Sequence, residues 1–380
     1  MKLVHVVPHT SDEAAGTAYV ALNTCESLAN LGCDVTLMTA DSAPVPTPHK
    51  FRHEHYPGLA WTSTFAHSPG LRAALYRAAE TVDVIHNHSI FTMPNTYPGA
   101  ITRRTGVPLV CAPHGTLAPV PLSRGKLRKR LFWHFGQKHT MTEAQLLHAT
   151  AELEVEDIRA FGLKNPVAVI PNGVTIPQTS HLTPADGTRT VLYLARLHPT
   201  KGLGMLLEVW RDLPAEMRQG WQLKLVGPGP ASHVTELKDF CREHDMTDAI
   251  FTGPLYGDEK LQAYIDADVH IHSSPDENFG QVIAEAMAAG TPVICTTGTP
   301  WSGVLENDCG WWIERGHEQM RAALIAAMSK PRAELDAMGQ RGRAWMARDY
   351  GWDAIGRTMI ACYEWVLGGK TGPAPDCVHF

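Results

Sequence analysis

No apolar run in these 380 residues approaches the ~20 that a membrane-spanning helix needs. The amino-terminal run Leu3–Val7 is too short for a signal-peptide core and stops at Pro8, so it is expected to be a first β-strand. None of the eight cysteines stands in a CxxC pair, and several fall inside apolar runs. That points to reduced core thiols in a cytoplasmic protein and away from structural zinc. A basic excess is also missing: the formal charge is −6, which argues against nucleic acid as a partner. The most informative absence is local. Between Asp83 and Glu143 there is no carboxylate, yet Arg103, Arg104, Arg124, Lys126, Arg128, Lys129, Arg130 and Lys138 all lie there. Such asymmetry suits an anionic surface or ligand.

What is present describes a soluble α/β chain long enough for two domains, 44% hydrophobic and 19% charged. In the first half, strands are expected at residues 2–7, 35–39, 82–86, 108–112, 145–148 and 167–170. Helices are expected at 16–29, 71–79, 127–137 and 152–161, with another ending at Thr105 and a Pro-rich loop from Ser42 to Pro57. This rhythm predicts a parallel sheet with helices on both faces. Pro171-Asn172-Gly173-Val174 breaks it, and the turn-rich segment to Gly187 reads as a linker. A second alternation follows, with strands expected at 190–195, 222–226, 249–252, 269–271 and 311–313. The expected division is 1–175, 176–350 and a returning terminal helix with tail, 351–380. Two Rossmann-like halves imply a ligand cleft.

The stretch from Asp268 to Ile294 organises the rest. Val269-His270-Ile271 reads as a strand end, Ser273–Asn278 as a polar loop, and Val282, Ile283, Ala286 and Met287 as a helix stopped by Gly290-Thr291-Pro292. Loops at strand carboxyl ends are where open α/β sheets bind ligands, and a helix amino terminus there suits phosphate. Glu277 and Glu285, eight residues apart, are expected on roughly one face. Arg196 and Lys201 follow the second domain's first strand, and a guanidinium fork with a point charge suits a diphosphate.

Glu277-Asn278-Phe279-Gly280, Ala284-Glu285-Ala286-Met287 and Gly290-Thr291-Pro292-Val293-Ile294 resemble the signature of retaining nucleotide-sugar glycosyltransferases of family four with the GT-B fold. The resemblance implies two Rossmann-like domains facing across a cleft and a terminal helix crossing back to the first. It implies that Arg196 and Lys201 neutralise the nucleotide diphosphate leaving group and that Glu277 and His114 hold donor-sugar hydroxyls. Glu285 would take the ribose, while Gly16, Gly227, Gly229, Leu255, Tyr256, Asn278, Phe279 and Gly280 would line the donor site. The related enzymes often carry Gly-Gly where this chain has Ala15-Gly16.

No cofactor or metal is expected. Asp266-Ala267-Asp268 has the pattern of a metal pair but sits at the amino-terminal edge of its strand, so it reads as a solvated strand entry. His86 and His88 alternate onto one side of a strand without an acidic or cysteine neighbour. Arg124, Lys126, Arg128, Lys129, Arg130 and Trp133, around Leu127, Leu131, Phe132 and Phe135, form either an inward-packing surface helix or an interfacial helix for anionic lipid.

The partners so implied are a nucleotide-sugar donor, GDP-mannose-like or a UDP-sugar, and a glycan acceptor, lipid-linked in bacterial surface polysaccharide assembly. The expected place is the cytoplasmic face of the inner membrane. Two alternatives share these motifs, a GT-B nucleotide-sugar epimerase and a non-catalytic nucleotide-sugar-binding protein.

Overall fold

The computed structural model describes residues 1–10, 16–41, 49–59, 65–179 and 187–380. They divide into two compact units, Met1–Gly173 with Trp352–Phe380, and Val174–Gly351. Ala15, residues 42–48 of the Pro-rich loop and residues 180–186 of the expected linker lie outside the described residues.

The first unit holds β1 (Lys2–Val7), β2 (Asp34–Thr39), β3 (Arg52–His55), β4 (Val84–His88), β5 (Leu109–Ala112), β6 (Leu146–Ala149) and β7 (Val167–Val169). They pair in parallel in the order β7-β6-β5-β4-β1-β2-β3, and a last strand, Val378–His379, adds antiparallel to β7. Alternation divides each strand between two cores: Val4 and Val6 face one, Leu3 and Val7 the other. The second core is covered by the helix Gly16–Asn30 and the terminal helix Trp352–Leu367. The terminal helix buries Ile355, Met359, Cys362, Tyr363 and Val366, one apolar face at helical spacing.

The second unit holds β8 (Arg189–Leu194), β9 (Trp221–Val226), β10 (Ala249–Gly253), β11 (Val269–His272), β12 (Val293–Thr296) and β13 (Gly310–Ile313). All are parallel, in the order β10-β9-β8-β11-β12-β13. The helix after β8, Leu203–Arg211, packs Leu203, Leu206, Leu207 and Trp210 into one core. The helix after β11, Gln281–Ala288, packs Ile283, Ala284 and Met287 into the other. The chain thus leaves adjacent strands toward opposite faces. This is a topological switch point, where the carboxyl ends of strands open a crevice.

Four expectations change. Arg52–His55, inside the expected loop, pairs with β2 as an edge strand; its polar, half-buried residues offer no apolar alternation to read. Val378–His379 was likewise unread, being only two residues long. β4 runs to His88, so both of its histidines belong to the sheet. The expected helix at 127–137 is regular only over Lys126–Phe132; a turn with non-helical Phe135 and Gly136 follows before the helix Lys138–Glu143, because Gly136 takes φ +143°.

Candidate functional site

Two loops meet at the switch point of the second unit. Gly202, at φ +75°, follows Lys201, and a Cβ there would sit 2.3 Å from the Ser273 carbonyl just past β11. Ser273 Oγ donates to the Lys201 carbonyl at 3.0 Å. This close approach brings Lys201 Nζ onto Glu277 Oε1, which also accepts His272 Nε2–H at 2.8 Å. Both partners of the ion pair are mostly buried, with 15% and 16% of their side chains exposed. Burial pushes the Glu277 carboxyl up, but the His272 hydrogen bond and the Lys201 charge outweigh it and hold the group at about 2. Glu277 is therefore a fixed anion at neutral pH, with an ammonium beside it.

Arg196 lies in the same loop as Lys201 and is exposed. Gly227 is where the backbone most needs glycine: φ is +146°, and a Cβ would lie 1.9 Å from the Ala195 carbonyl. The turn after β9 thereby seats against the Arg196 loop, with Leu197 N–H donating to the Pro228 carbonyl at 2.8 Å and the exposed Gly229 next to it. Gly280, at φ +78°, caps the Gln281–Ala288 helix. Asn278 before it is half-buried, and Phe279 is buried edge-on against Trp301, whose indole donates to the Phe279 carbonyl. Leu255 packs partly on the core, while Tyr256 is exposed ahead of the Gly257–Ile265 helix.

The two glutamates do not share a helix face. Glu277 precedes the helix and turns to Lys201 and His272, whereas Glu285 accepts from Lys260 Nζ at 2.7 Å and Tyr264 Oη at 3.0 Å. The expectation fails because the left-handed turn at Gly280 interrupts the helical path between them. Nor is Asp268 solvated. It is buried at the start of β11, accepting from Arg189 Nε at 3.2 Å, Arg332 Nε at 3.0 Å and the Thr190 N–H at 2.8 Å. Asp266 accepts from Gln262 at 2.6 Å.

In the first unit His114 follows β5 with φ +52°, a left-handed conformation uncommon outside glycine. The buried Glu154 carboxylate holds that turn by accepting the Gly115 N–H at 2.6 Å and the Thr150 N–H at 2.8 Å. Behind it lies a cluster the sequence reading saw only in part. Parallel pairing sets His5 of β1 beside His86 of β4, and alternation puts His5, His86, His88 and His148 on one face of the sheet. His5, His86 and His88 bring ligand nitrogens within 4.8 Å of one another. Those of His5 and His88 are hydrogen-bonded to each other, at 2.9 Å. Burial, and then the neighbouring His148, hold His5 and His114 at about 3. Gly16 opens its helix with nothing within 4 Å of a would-be Cβ, so no contact among the described residues requires glycine there.

The basic segment divides. Leu127, Leu131 and Phe135 are 74%, 50% and 81% exposed, and with Phe65, Met93 and the base of Phe132 they line a groove of about 540 Å³. Arg124, Lys126, Arg128 and Arg130 are exposed, with Arg128 lining this groove and Lys126 and Arg130 lining a second one beside Phe91 and Trp133. Two of the expected surface residues turn elsewhere. Lys129 donates to the Pro121 carbonyl and lies 5.6 Å over the Phe91 ring, and Trp133 packs edge-on against Phe161 at 4.7 Å.

Sequence reasoning missed His272, Lys260, Tyr264 and Glu154. For His272 the signal was available: it ends the Val269–His272 strand at the position that opens onto the loop. Lys260 and Tyr264 meet Glu285, and Glu154 meets Gly115, only through tertiary packing.

Two family models match the chain, "Glycosyl transferase 4-like domain" over residues 15–173 and "Glycosyl transferases group 1" over residues 178–345. A D-inositol 3-phosphate glycosyltransferase of Xylanimonas cellulosilytica is 26% identical over 94% of this chain and 93% of its own length. A GDP-mannose:cellobiosyl-diphosphopolyprenol alpha-mannosyltransferase of Xanthomonas campestris is 25% identical over 97% and 98%. Among solved structures, Anabaena HepE in complex with UDP and glucose has a TM-score of 0.76 at 17% identity, covering 95% of this chain and 98% of that one. Sucrose-phosphate synthase from Thermosynechococcus elongatus has a TM-score of 0.77 at 19% identity, covering 97% and 100%. These structural likenesses establish a shared two-sheet α/β architecture.

Proposed function

The chain belongs to the group 1 glycosyl transferases with the GT-B fold, and from that premise we propose that it moves a hexose from a nucleoside diphosphate sugar, GDP-mannose or a UDP-sugar, to a hydroxyl of a lipid-linked glycan. In this reading the anomeric configuration is retained, no metal or other cofactor takes part, and the second unit takes the donor while the first serves the acceptor. The observation that carries the reading is the meeting of Lys201 and Glu277 where the loops after β8 and β11 cross. The Xanthomonas relative, named for GDP-mannose and a diphosphopolyprenol-linked acceptor, supports the choice of substrates and a role in bacterial surface polysaccharide assembly, O-antigen or exopolysaccharide.

The chemistry assigns the charges. As the bond from the anomeric carbon to the diphosphate oxygen breaks, negative charge grows on the phosphate. Lys201, the exposed Arg196 and the positive dipole end of the Gln281–Ala288 helix are suited to that charge. Glu277, already ionised, accepts hydroxyls of the sugar, and Glu285 those of the ribose, in exchange for its present Lys260 and Tyr264 partners. Gly227, Gly229, Leu255, Tyr256, Asn278, Phe279 and Gly280 shape the donor site, and in this reading Gly16 also serves the donor and His114 takes a sugar hydroxyl. The acceptor oxygen attacks on the face the diphosphate leaves, and the departing phosphate takes its proton. The exposed Leu127, Leu131 and Phe135, with exposed Arg124, Lys126, Arg128 and Arg130 on the same segment, support peripheral docking on anionic lipid at the cytoplasmic face of the inner membrane.

A thermal-shift panel of GDP, UDP, ADP and their sugars tests the reading. A ligand at a hundred times its dissociation constant adds about 2.7 kcal/mol of stability, so one nucleotide class stands out. Transfer is expected to persist in excess EDTA. Silence across the panel, or activity abolished by EDTA and restored by a divalent cation, would overturn the donor and metal assignments respectively.

A further inference from the structure

Behind His114 runs an unbroken line of buried side chains. His114 Nε2 is 3.1 Å from His88 Nδ1, His88 Nε2 is 2.9 Å from His5 Nδ1, and His5 Nε2 is 3.4 Å from the Tyr363 hydroxyl on the terminal helix. The same hydroxyl is 2.7 Å from His86 Nδ1. The rings of His114 and His88 lie nearly parallel, 9° apart, as do those of His86 and His88, 11° apart. A neutral imidazole has one donor and one acceptor nitrogen. Every link in such a line must therefore point the same way, and one end decides the rest.

We propose that Tyr363, His5 and His88 form a hydrogen-bonded relay that holds His114 with its proton on Nε2, so that its Nδ1 lone pair accepts a hydrogen bond from a sugar hydroxyl. The proposal rests on the substrate-contacting role given to His114 above; Tyr363, His5 and His88 are positioning residues.

Two observations set the direction. A hydroxyl donates over about 2.5–3.0 Å, so of its two partners Tyr363 gives its single hydrogen to His86 Nδ1 at 2.7 Å and not to His5 Nε2 at 3.4 Å. The phenol oxygen is then the acceptor for His5 Nε2–H. His5 Nδ1 in turn accepts from His88 Nε2–H, and His88 Nδ1 from His114 Nε2–H.

The second observation lies at the far end. His148 Nε2 is 2.8 Å from the Ile170 carbonyl and must donate to it, which leaves Nδ1 of that ring as a buried lone pair without a partner among the described residues. His86 Nε2 is also buried without a partner among the described residues, and the two rings stand edge to face with centroids 5.4 Å apart. In the proposed direction His86 carries its proton on Nε2, so the two unpartnered nitrogens of these facing rings are one donor and one acceptor. In the reverse direction two unpaired acceptors would be buried together. Burial lowers the tendency of all five histidines to take a second proton, and repulsion among the rings adds to it at His5, His86, His88 and His114, which keeps the line neutral near pH 7.

Long-range proton–nitrogen correlation spectra of the full chain labelled with 15N-histidine report which ring nitrogen carries each proton. The expected result is an Nε2–H signature for His5, His88 and His114. Tyr363→Phe keeps the ring but removes the acceptor for His5. It should turn His114 into a mixture of tautomers and lower kcat about two- to tenfold, the scale of one buried hydrogen bond, with the donor KM little changed. An Nδ1–H signature on His114 in the unaltered protein overturns the proposal without any variant needing to fold. So does a His114 tautomer indifferent to Tyr363→Phe. The underlying reading fails separately: His114→Ala transferring at the wild-type rate would remove the sugar contact while the spectra still reported the tautomers.

Discussion

Replacing Lys201 with alanine leaves the Glu277 carboxylate with the His272 N–H but without its ammonium. The carboxyl is held at about 2 against 4.5 when unperturbed, and a depression of that size is worth roughly 3 kcal/mol of folded stability. The sign follows from the direction. A group depressed on folding stabilises above its unfolded value and loses that contribution as pH falls toward its folded one, so at pH 7.5 the whole contribution is present. With His272 supplying the larger part of it, Lys201→Ala should cost about 1.5 kcal/mol in urea unfolding. Glu277→Gln should cost a similar amount. The double variant should cost less than the two together, by about 1.5 kcal/mol, since each single change leaves a partly buried charge uncompensated. Transfer separates the two roles: kcat/KM should fall at least about a hundredfold in Lys201→Ala and stay down in the double variant, although stability recovers. Singles that add within about 0.5 kcal/mol would refute the pairing argument. Transfer by Lys201→Ala at the wild-type rate would refute the phosphate role.

Gly227→Ala should destabilise the protein by about 3 kcal/mol or more, because a methyl cannot share space with the Ala195 carbonyl 1.9 Å away at φ +146°; a melting temperature within a degree of wild type would contradict this. Leu127→Glu combined with Phe135→Glu should abolish sedimentation with anionic vesicles and leave the melting temperature unchanged, both side chains being mostly exposed. Retained vesicle binding would remove the groove from the docking surface. Acid should weaken the fold before the carboxylates titrate. Burial holds His5 at about 3 and His148 at about 4, with His86 and His88 well below their ordinary range. Below pH ~6.5 the unfolded chain therefore binds more protons, and each buried histidine removes up to about 1.4 kcal/mol per pH unit. A urea midpoint unchanged between pH 7 and pH 5 would count against neutral buried rings.

The alternation of apolar runs was enough to read nearly every strand of both sheets, since a strand covered on both faces is almost continuously apolar. It failed where that rule fails, at the polar edge strand Arg52–His55 and the two-residue strand Val378–His379. Lys201 and Glu277 could be named because each follows a strand whose carboxyl end opens onto a loop. That they touch could not be named, because the contact depends on Gly202 closing against Ser273 and on β8 and β11 being neighbours. Asp268 shows the converse. Its place at the strand start was readable, but Arg189 and Arg332, which bury it as an ion pair, lie far away in sequence. The histidine line was half visible in His86-Asn87-His88; His5 and Tyr363 join it from opposite ends of the chain.

That last separation bears on how the protein is made. The second unit is one continuous stretch, Val174–Gly351, whereas the first is begun before it and finished after it. On a ribosome, β1 to β7 emerge early, but the face carrying Leu3, Val7 and Val84 waits for Ile355, Met359 and Tyr363 to cover it. Folding order is therefore expected to invert synthesis order, with the later unit complete while the earlier one is still open. During that interval an apolar sheet face is uncovered, which makes nascent chains the form most exposed to aggregation and to chaperones.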